Sequence, residues 1–164
     1  MPVLVAAIVG VAATGAGTVV YRLGDSGAFD PAPIAMANTG SLMEDEVVDL
    51  MNKQRAEAGC DPVVVDPRLV QAAEEHSKDM AERKYFGHTT PEGLTFRDRI
   101  LSTGYANPQT AENIARGQRD ATQVMDSWMD SPGHRANILN CDLSRVGVGL
   151  DENGMYWTQD FGTV

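Results

Sequence analysis

The hydrophobic period changes near the end of this chain. Up to Leu139 apolar residues recur at helical spacing, but Val146, Val148 and Leu150 alternate with small residues. Side chains at every second position share one face only on an extended strand, so this stretch cannot be another amphipathic helix. Asp151-Glu152-Asn153-Gly154 follows as a turn, with Asn-Gly as its hairpin signal, and Met155 to Phe161 supplies the returning strand. Helices first and a hairpin last predict an α+β fold. Its simplest form packs the helices over a small antiparallel sheet that buries the alternating face.

The helix boundaries carry their own signals. Ser41 to Glu44 reads as a capping box, with Ser41 as N-cap, and Gly59 stops that helix. Val63 to Val65 is a strand or an extended connector. Asp66-Pro67 opens a second helix, with Leu69, Ala72, Ala73, His76 and Met80 along one face. Tyr85 to Gly93 is a loop by composition, and a short helix runs from Thr95 to about Ser102. Ala111 to Ala115 is a short strand or a loop. Asp120 caps a further helix that buries Ala121, Val124, Met125 and Trp128, and Ser131-Pro132-Gly133 ends it before a last helical turn to Leu139.

Val3 to Tyr21 holds no charged side chain and is bounded by Arg22. So uniform a run fits a targeting or anchoring segment rather than a core helix. Residues 1–23 are therefore read as a signal peptide or an N-terminal membrane anchor, 24–40 as a flexible Gly- and Pro-bearing linker, and 41–164 as the folded domain. Both readings of the first segment place the domain outside the cytoplasm. In that compartment Cys60 and Cys141 are expected to form one disulfide. The net charge of −10 repels phosphate backbones, so nucleic acid is excluded as a partner.

The chain holds three histidines, His76, His88 and His134, and no His-x-x-x-His or Cys-x-x-Cys pair joins any of its residues into a local metal motif. Any site is assembled from distant segments. His88 lies in the loop between Gly87 and Pro91, where a side chain can be presented to a cleft. Glu112, within a short apolar segment, would need a partner if buried. His134 falls in the first turn after Ser131-Pro132-Gly133, and His76 lies on the apolar stripe of its helix as a core histidine. Ser131 reads as an N-cap before it reads as a nucleophile.

These residues fall into an ordered series of motifs: His76 to Ala81, Tyr85-Phe86-Gly87-His88, Arg99-Ile100 with Gly104-Tyr105, Ala111-Glu112-Asn113-Ile114-Ala115, Trp128 to Leu139, Gly147-Val148-Gly149 and Tyr156 to Gly162. Over about residues 42–162 the chain resembles the bacterial branch of the CAP superfamily of SCP-like extracellular proteins. The resemblance implies an α-β-α sandwich with a small central antiparallel sheet. It also implies a cleft where two His and two Glu bind a divalent metal in several members. His88 matches the first tetrad His and Glu112 the first tetrad Glu. The other two positions depart: Ser131 stands where the second Glu is expected and Tyr156 where the second His is expected. His134 is the imidazole that would replace the missing one.

The expected metal set is thus His88, Glu112 and His134, holding Zn²⁺ or another divalent ion, with Glu112 as the candidate catalytic base or as an orienting residue behind the ligands. The resemblance implies a binding module at the cell envelope, taking a glycan, peptide or lipid. A metal-assisted hydrolase acting on an envelope or host polymer is the alternative, and lipid carriage ranks last.

Overall fold

The computed structural model describes residues 39–164. The elements run α1 (Thr39–Glu57), β1 (Val64–Val65), α2 (Pro67–Arg83), α3 (Phe96–Ser102), β2 (Thr110–Arg116), α4 (Ala121–Asp130), α5 (Pro132–Ile138), β3 (Arg145–Asp151) and β4 (Tyr156–Gly162). The strands form one sheet in the order β1-β3-β4-β2. β3 pairs antiparallel with β4, and β4 with β2, as expected. The short β1 pairs parallel with β3 instead, so the sheet is mixed.

The period-2 pattern of β3 explains the layering. Val146 and Val148 join Trp157 and Phe161 in a core completed by Val47 and Met51 of α1 and by Val124, Met125 and Trp128 of α4. The intervening Gly147 and Gly149 present no side chain to the opposite face, and α2 lies there at backbone contact. A Cβ on Gly147 would stand 2.1 Å from the Leu69 carbonyl carbon, and one on Gly149 would stand 2.2 Å from the Glu74 amide nitrogen. Ser77 of α2 fixes the contact: its hydroxyl donates to the Gly149 carbonyl at 2.9 Å and accepts from the Thr158 hydroxyl at 2.8 Å. The result is an α+β fold in which helices cover both faces of the sheet.

Most helix boundaries follow the sequence signals. Asp66 accepts from the Arg68 amide at 3.0 Å with Pro67 in the first turn, and Asp120 accepts from the Gln123 amide at 2.8 Å. Thr95 and Asp98 form a reciprocal capping box for α3. Two expectations need correction. α1 starts at Thr39, so Ser41 lies inside the helix and is not its N-cap. Glu44, freed from that role, accepts from the Leu150 amide at 2.6 Å and ties α1 to β3. Ser131 does occupy the N-cap position of α5, but its side chain makes no capping bond.

The β3–β4 turn spans residues 152–155, with Gly154 and Met155 both at positive φ. Cys60 and Cys141 form the disulfide, joining the end of α1 to the segment before β3. The expected signal or anchor segment, 1–23, and nearly all of the linker lie outside the described residues. Among the described residues no helix is long and apolar enough to cross a membrane.

Candidate functional site

Glu112 is the hub of the site. It lies on β2, an edge strand, and is buried. Its side chain leaves the sheet on the α2 face, as the cross-strand pairing with Asp160 requires. A buried carboxylate needs donors, and three elements supply or approach them. From the loop after α2, His88 Nδ1 donates to Oε1 at 2.8 Å. From α3, Arg99 donates to Oε2. From α2, His76 Nε2 stands 4.0 Å from Oε2.

The same guanidinium holds the loop. Arg99 donates to the His88 carbonyl at 3.0 Å and to the Leu94 carbonyl at 3.4 Å. A planar fork suits this double task, since it can reach a carboxylate and two carbonyls from one fixed position. The loop is clamped at a second point, where Arg83 of α2 pairs with Glu92 and Asp79.

The protonation states follow from the partners. A carboxylate only accepts, so His88 carries its proton on Nδ1 and leaves Nε2 bare when the ring is neutral. The His88 side chain is about half exposed (49%), which makes it the point where this buried network meets solvent. His76 is fully buried and bonds the Gly87 carbonyl through Nε2 at 3.0 Å. Burial pushes its pKa down to about 4, so it is neutral at pH 7.

His134 approaches from the other side of β2. Its carbonyl accepts from Asn113 Nδ2 at 3.2 Å, and Asn137, one turn on, donates to Asn113 Oδ1 at 2.9 Å and to the Glu112 carbonyl at 3.4 Å. These bonds seat α5 against the edge strand, and the last of them covers the Glu112 carbonyl, which would otherwise be open to another chain. The His134 ring keeps a buried Nδ1 without a partner among the described residues. Burial, and then the nearby His88, lower its pKa.

The structure therefore brings His88 and Glu112 into direct contact and His134 into their neighbourhood. The three do not fit as a joint ligand set in this arrangement. Both Glu112 oxygens are engaged, one by His88 itself and one by a guanidinium. Among the described residues no three His, Cys, Asp or Glu side chains are placed to close on one ion. The two departing positions of the expected tetrad supply no replacement donor at Glu112. Tyr156 packs with Met80, Ala81 and Ile114, and Ser131 lies at the α4–α5 junction.

Three members of the site were not legible as such. In the sequence Arg99 falls in a short helix and an ordered motif, His76 reads as a core histidine, and Asp160 is one residue of the returning strand, with nothing to mark any of them as part of a site. His76 is indeed a satisfied core histidine, but it also forms the inner wall of the site. The cross-strand pairing that puts Asp160 opposite Glu112 is invisible before β2 and β4 are aligned.

Comparison with known proteins decides the family. Residues 48–161 match the CAP family, the Cysteine-rich secretory protein family. The chain belongs to the CAP family. Its CAP domain is 40% identical over 121 residues to the uncharacterized protein YkwD of Bacillus subtilis, covering 74% of this chain and 47% of that protein. It is 34% identical over 118 residues to the uncharacterized membrane protein YlbC of the same organism, covering 72% of this chain and 34% of that one. The chain thus spans half or less of the length of these relatives.

Among solved structures, an extracellular SCP-domain protein from Bacillus anthracis matches with a TM-score of 0.73 at 29% identity, over 84% of this chain and 45% of that one. An outer surface protein of Borrelia burgdorferi matches with a TM-score of 0.67 at 22% identity, over 73% and 90% of the two chains, and shows the shared fold. The motifs from His76 to Phe161 and nearly all of the sheet and its covering helices lie inside the region that matches the family.

Proposed function

We propose that this CAP domain is a binding module on the outer side of the cytoplasmic membrane, with its recognition surface built round the His88 imidazole. One observation carries the reading: both oxygens of Glu112 are already engaged, by His88 and by Arg99. A carboxylate held this way is poorly placed to take a proton from water. Its effect is to orient His88, leaving Nε2 on the half-exposed side chain available to a ligand. A bare imidazole nitrogen accepts from hydroxyl and amide groups, which suits a glycan or peptide of the envelope. The extracellular and outer-surface neighbours and the membrane relative support the compartment, as does the apolar run from Val3 to Tyr21.

The test uses the full chain in detergent and an insoluble cross-linked glycan–peptide polymer prepared from bacterial envelopes. The wild-type chain cosediments with the polymer. Loss of one hydrogen bond in His88→Ala weakens this by about tenfold. Equal sedimentation of the two proteins removes His88 from recognition. The same samples are titrated with zinc. Micromolar zinc binding that disappears in both His88→Ala and His134→Ala would overturn the reading in favour of a metal-assisted hydrolase.

A further inference from the structure

A second cleft, of about 330 Å³, opens where the start of α2, the segment after α3 and the first residue of β3 meet. Asp66, Arg68, Tyr105, Asn107 and Arg145 line it, and His88, Arg99 and Glu112 do not. Tyr105 roots one wall in the buried cluster of Leu69, Ala72 and Ile100. Gly162 makes room for this ring: a Cβ there would stand 2.3 Å from the Tyr105 hydroxyl oxygen. That hydroxyl is committed, since it donates to the Thr163 carbonyl, and the Asn107 amide is committed to the Val164 carbonyl at 3.1 Å.

Arg68 is fixed twice in the cleft. Its Nε and Nη2 donate to the two oxygens of Asp66 at 2.9 Å and 2.7 Å, and its guanidinium lies 4.9 Å from the centre of the Tyr105 ring. Nη1 is left with no acceptor among the described residues. Asp66 also accepts from the Arg68 amide, and the Arg68 side chain holds its carboxyl below the usual carboxylate range.

Arg145 is the odd member of its class. Three arginines among the described residues are not exposed: Arg55, Arg99 and Arg145. Arg55 spends its guanidinium on four carbonyls, and Arg99 spends its own on Glu112 and two carbonyls. Arg145 has no acceptor among the described residues. It stands two residues before Gly147 on β3, so its side chain leaves the sheet on the α2 face, where it lines the cleft. A partly desolvated guanidinium without an acceptor is costly, and an incoming oxyanion removes that cost. The chain carries a net charge of −10, yet the charged side chains lining this cleft are two arginines and one aspartate. Their surplus of one positive charge matches a singly charged anion.

We propose that this cleft is a second binding site and that it takes the terminal carboxylate of a peptide. Arg145 meets the carboxylate with its planar fork, Arg68 Nη1 supplies a further charged donor, and Asp66 and Tyr105 position Arg68. The volume is at the small end for a ligand site and suits a chain end of about two residues, whereas a phosphodiester within a polymer continues on both sides. The site shares no lining residue with the His88–Glu112 network, so this inference and the binding reading of His88 can fail separately.

The experiment is an NMR titration of the full chain in detergent with isotope-labelled arginine, using N-acetyl-alanyl-alanine and its C-terminal amide as probes. The acid is expected to shift the Arg145 Nε–H resonance saturably, and the amide to leave it in place. Arg145→Met weakens binding of the acid, read at Arg68 Nε–H, by about tenfold or more. Arg145→Lys keeps the charge without the fork and recovers only part of the loss. His88→Ala leaves the binding unchanged. No saturable shift in the wild type, equal binding of acid and amide, or full binding by Arg145→Met overturns the proposal, and the first two readouts need no variant. Loss of acid binding in His88→Ala also overturns it, by moving the carboxylate to the other site. Tighter binding of dimethyl phosphate than of the acid would make the ligand a phosphodiester and overturn the choice of a peptide end.

Discussion

Arg55 and Cys60 grip the same stretch of chain. The Arg55 guanidinium is buried and donates to the carbonyls of Ile138 at 2.8 Å, Asn140 at 2.9 Å and Leu143 at 2.9 Å, while Cys60 is bridged to Cys141 in their midst. A fourth bond, to the Asp61 carbonyl at 3.0 Å, closes the turn between them. Reduction of the disulfide therefore leaves the segment in place. Replacing both cysteines by Ala is expected to lower stability by about 2–4 kcal/mol with near-ultraviolet circular dichroism unchanged. Arg55→Ala, which strands several buried carbonyls, is expected to cost about 3–5 kcal/mol. Chemical denaturation measures both. A cost below about 1 kcal/mol for Arg55→Ala would show that those carbonyls find other partners.

Glu44 provides a pH dependence of known sign. Burial first, then the charges of Glu74 and Asp45, raise its pKa from 4.5 to about 7, against the Leu150 amide, which lowers it. The folded state binds this proton more tightly than the unfolded chain. The group's contribution is thus fully present below about pH 4.5 and is lost as pH rises through about 7. Glu44→Gln keeps an acceptor for Leu150 and removes the charge. Its Tm is expected to match wild type at pH 4 and to exceed it at pH 8. An offset that is the same at both pH values would show that Glu44 does not titrate in this window.

The glycines of β3 set the distance between α2 and the sheet. Gly147→Ala puts a methyl group against the Leu69 and Val70 backbone, where nothing can turn aside, and is expected to cost about 3 kcal/mol or more. Gly133, in α5, has nothing within 4 Å of where a methyl group would stand, and Gly133→Ala is expected to be neutral or slightly stabilising. Similar Tm values for the two variants would mean that α2 can shift away from the sheet at little cost. Because α2 carries His76, amide exchange in the 85–93 loop should also rise in Gly147→Ala.

Arg99 and Glu112 are expected to be strongly coupled. Arg99→Met leaves Glu112 short of its cation and releases the His88 and Leu94 carbonyls, for a loss of about 3–5 kcal/mol. Arg99→Lys restores the charge but not the fork, and should recover only part of this. In the double variant Arg99→Met/Glu112→Gln the uncompensated carboxylate is gone. Its stability should therefore exceed the sum of the single effects by about 1–3 kcal/mol, which a double-mutant cycle measures. Additive losses would mean that the two side chains act separately.

The sequence alone determined the class of fold and the sites where most of its helices begin. The 3.6-residue stripe of α2, the caps at Asp66 and Asp120, and the switch to period two at Val146 are local signals, set by neighbours a few residues away. The disulfide was reached by compartment and the family by ordered motifs. Where local signals competed, as at Ser41 and Glu44, the tertiary contact with Leu150 accompanied a different helix start.

The site is a different kind of object. His88 and Glu112 were legible one at a time, but their contact spans 24 positions, and Asp160 faces Glu112 only through the register of β2 against β4. Arg99 and His76 became members of the site because α3 and α2 bring them to one buried carboxylate. Local spacing reports which side chains share a face. The charge state of a buried group depends on which donors the packed fold delivers to it, and that was decided only when the loop, three helices and the edge strand closed around Glu112.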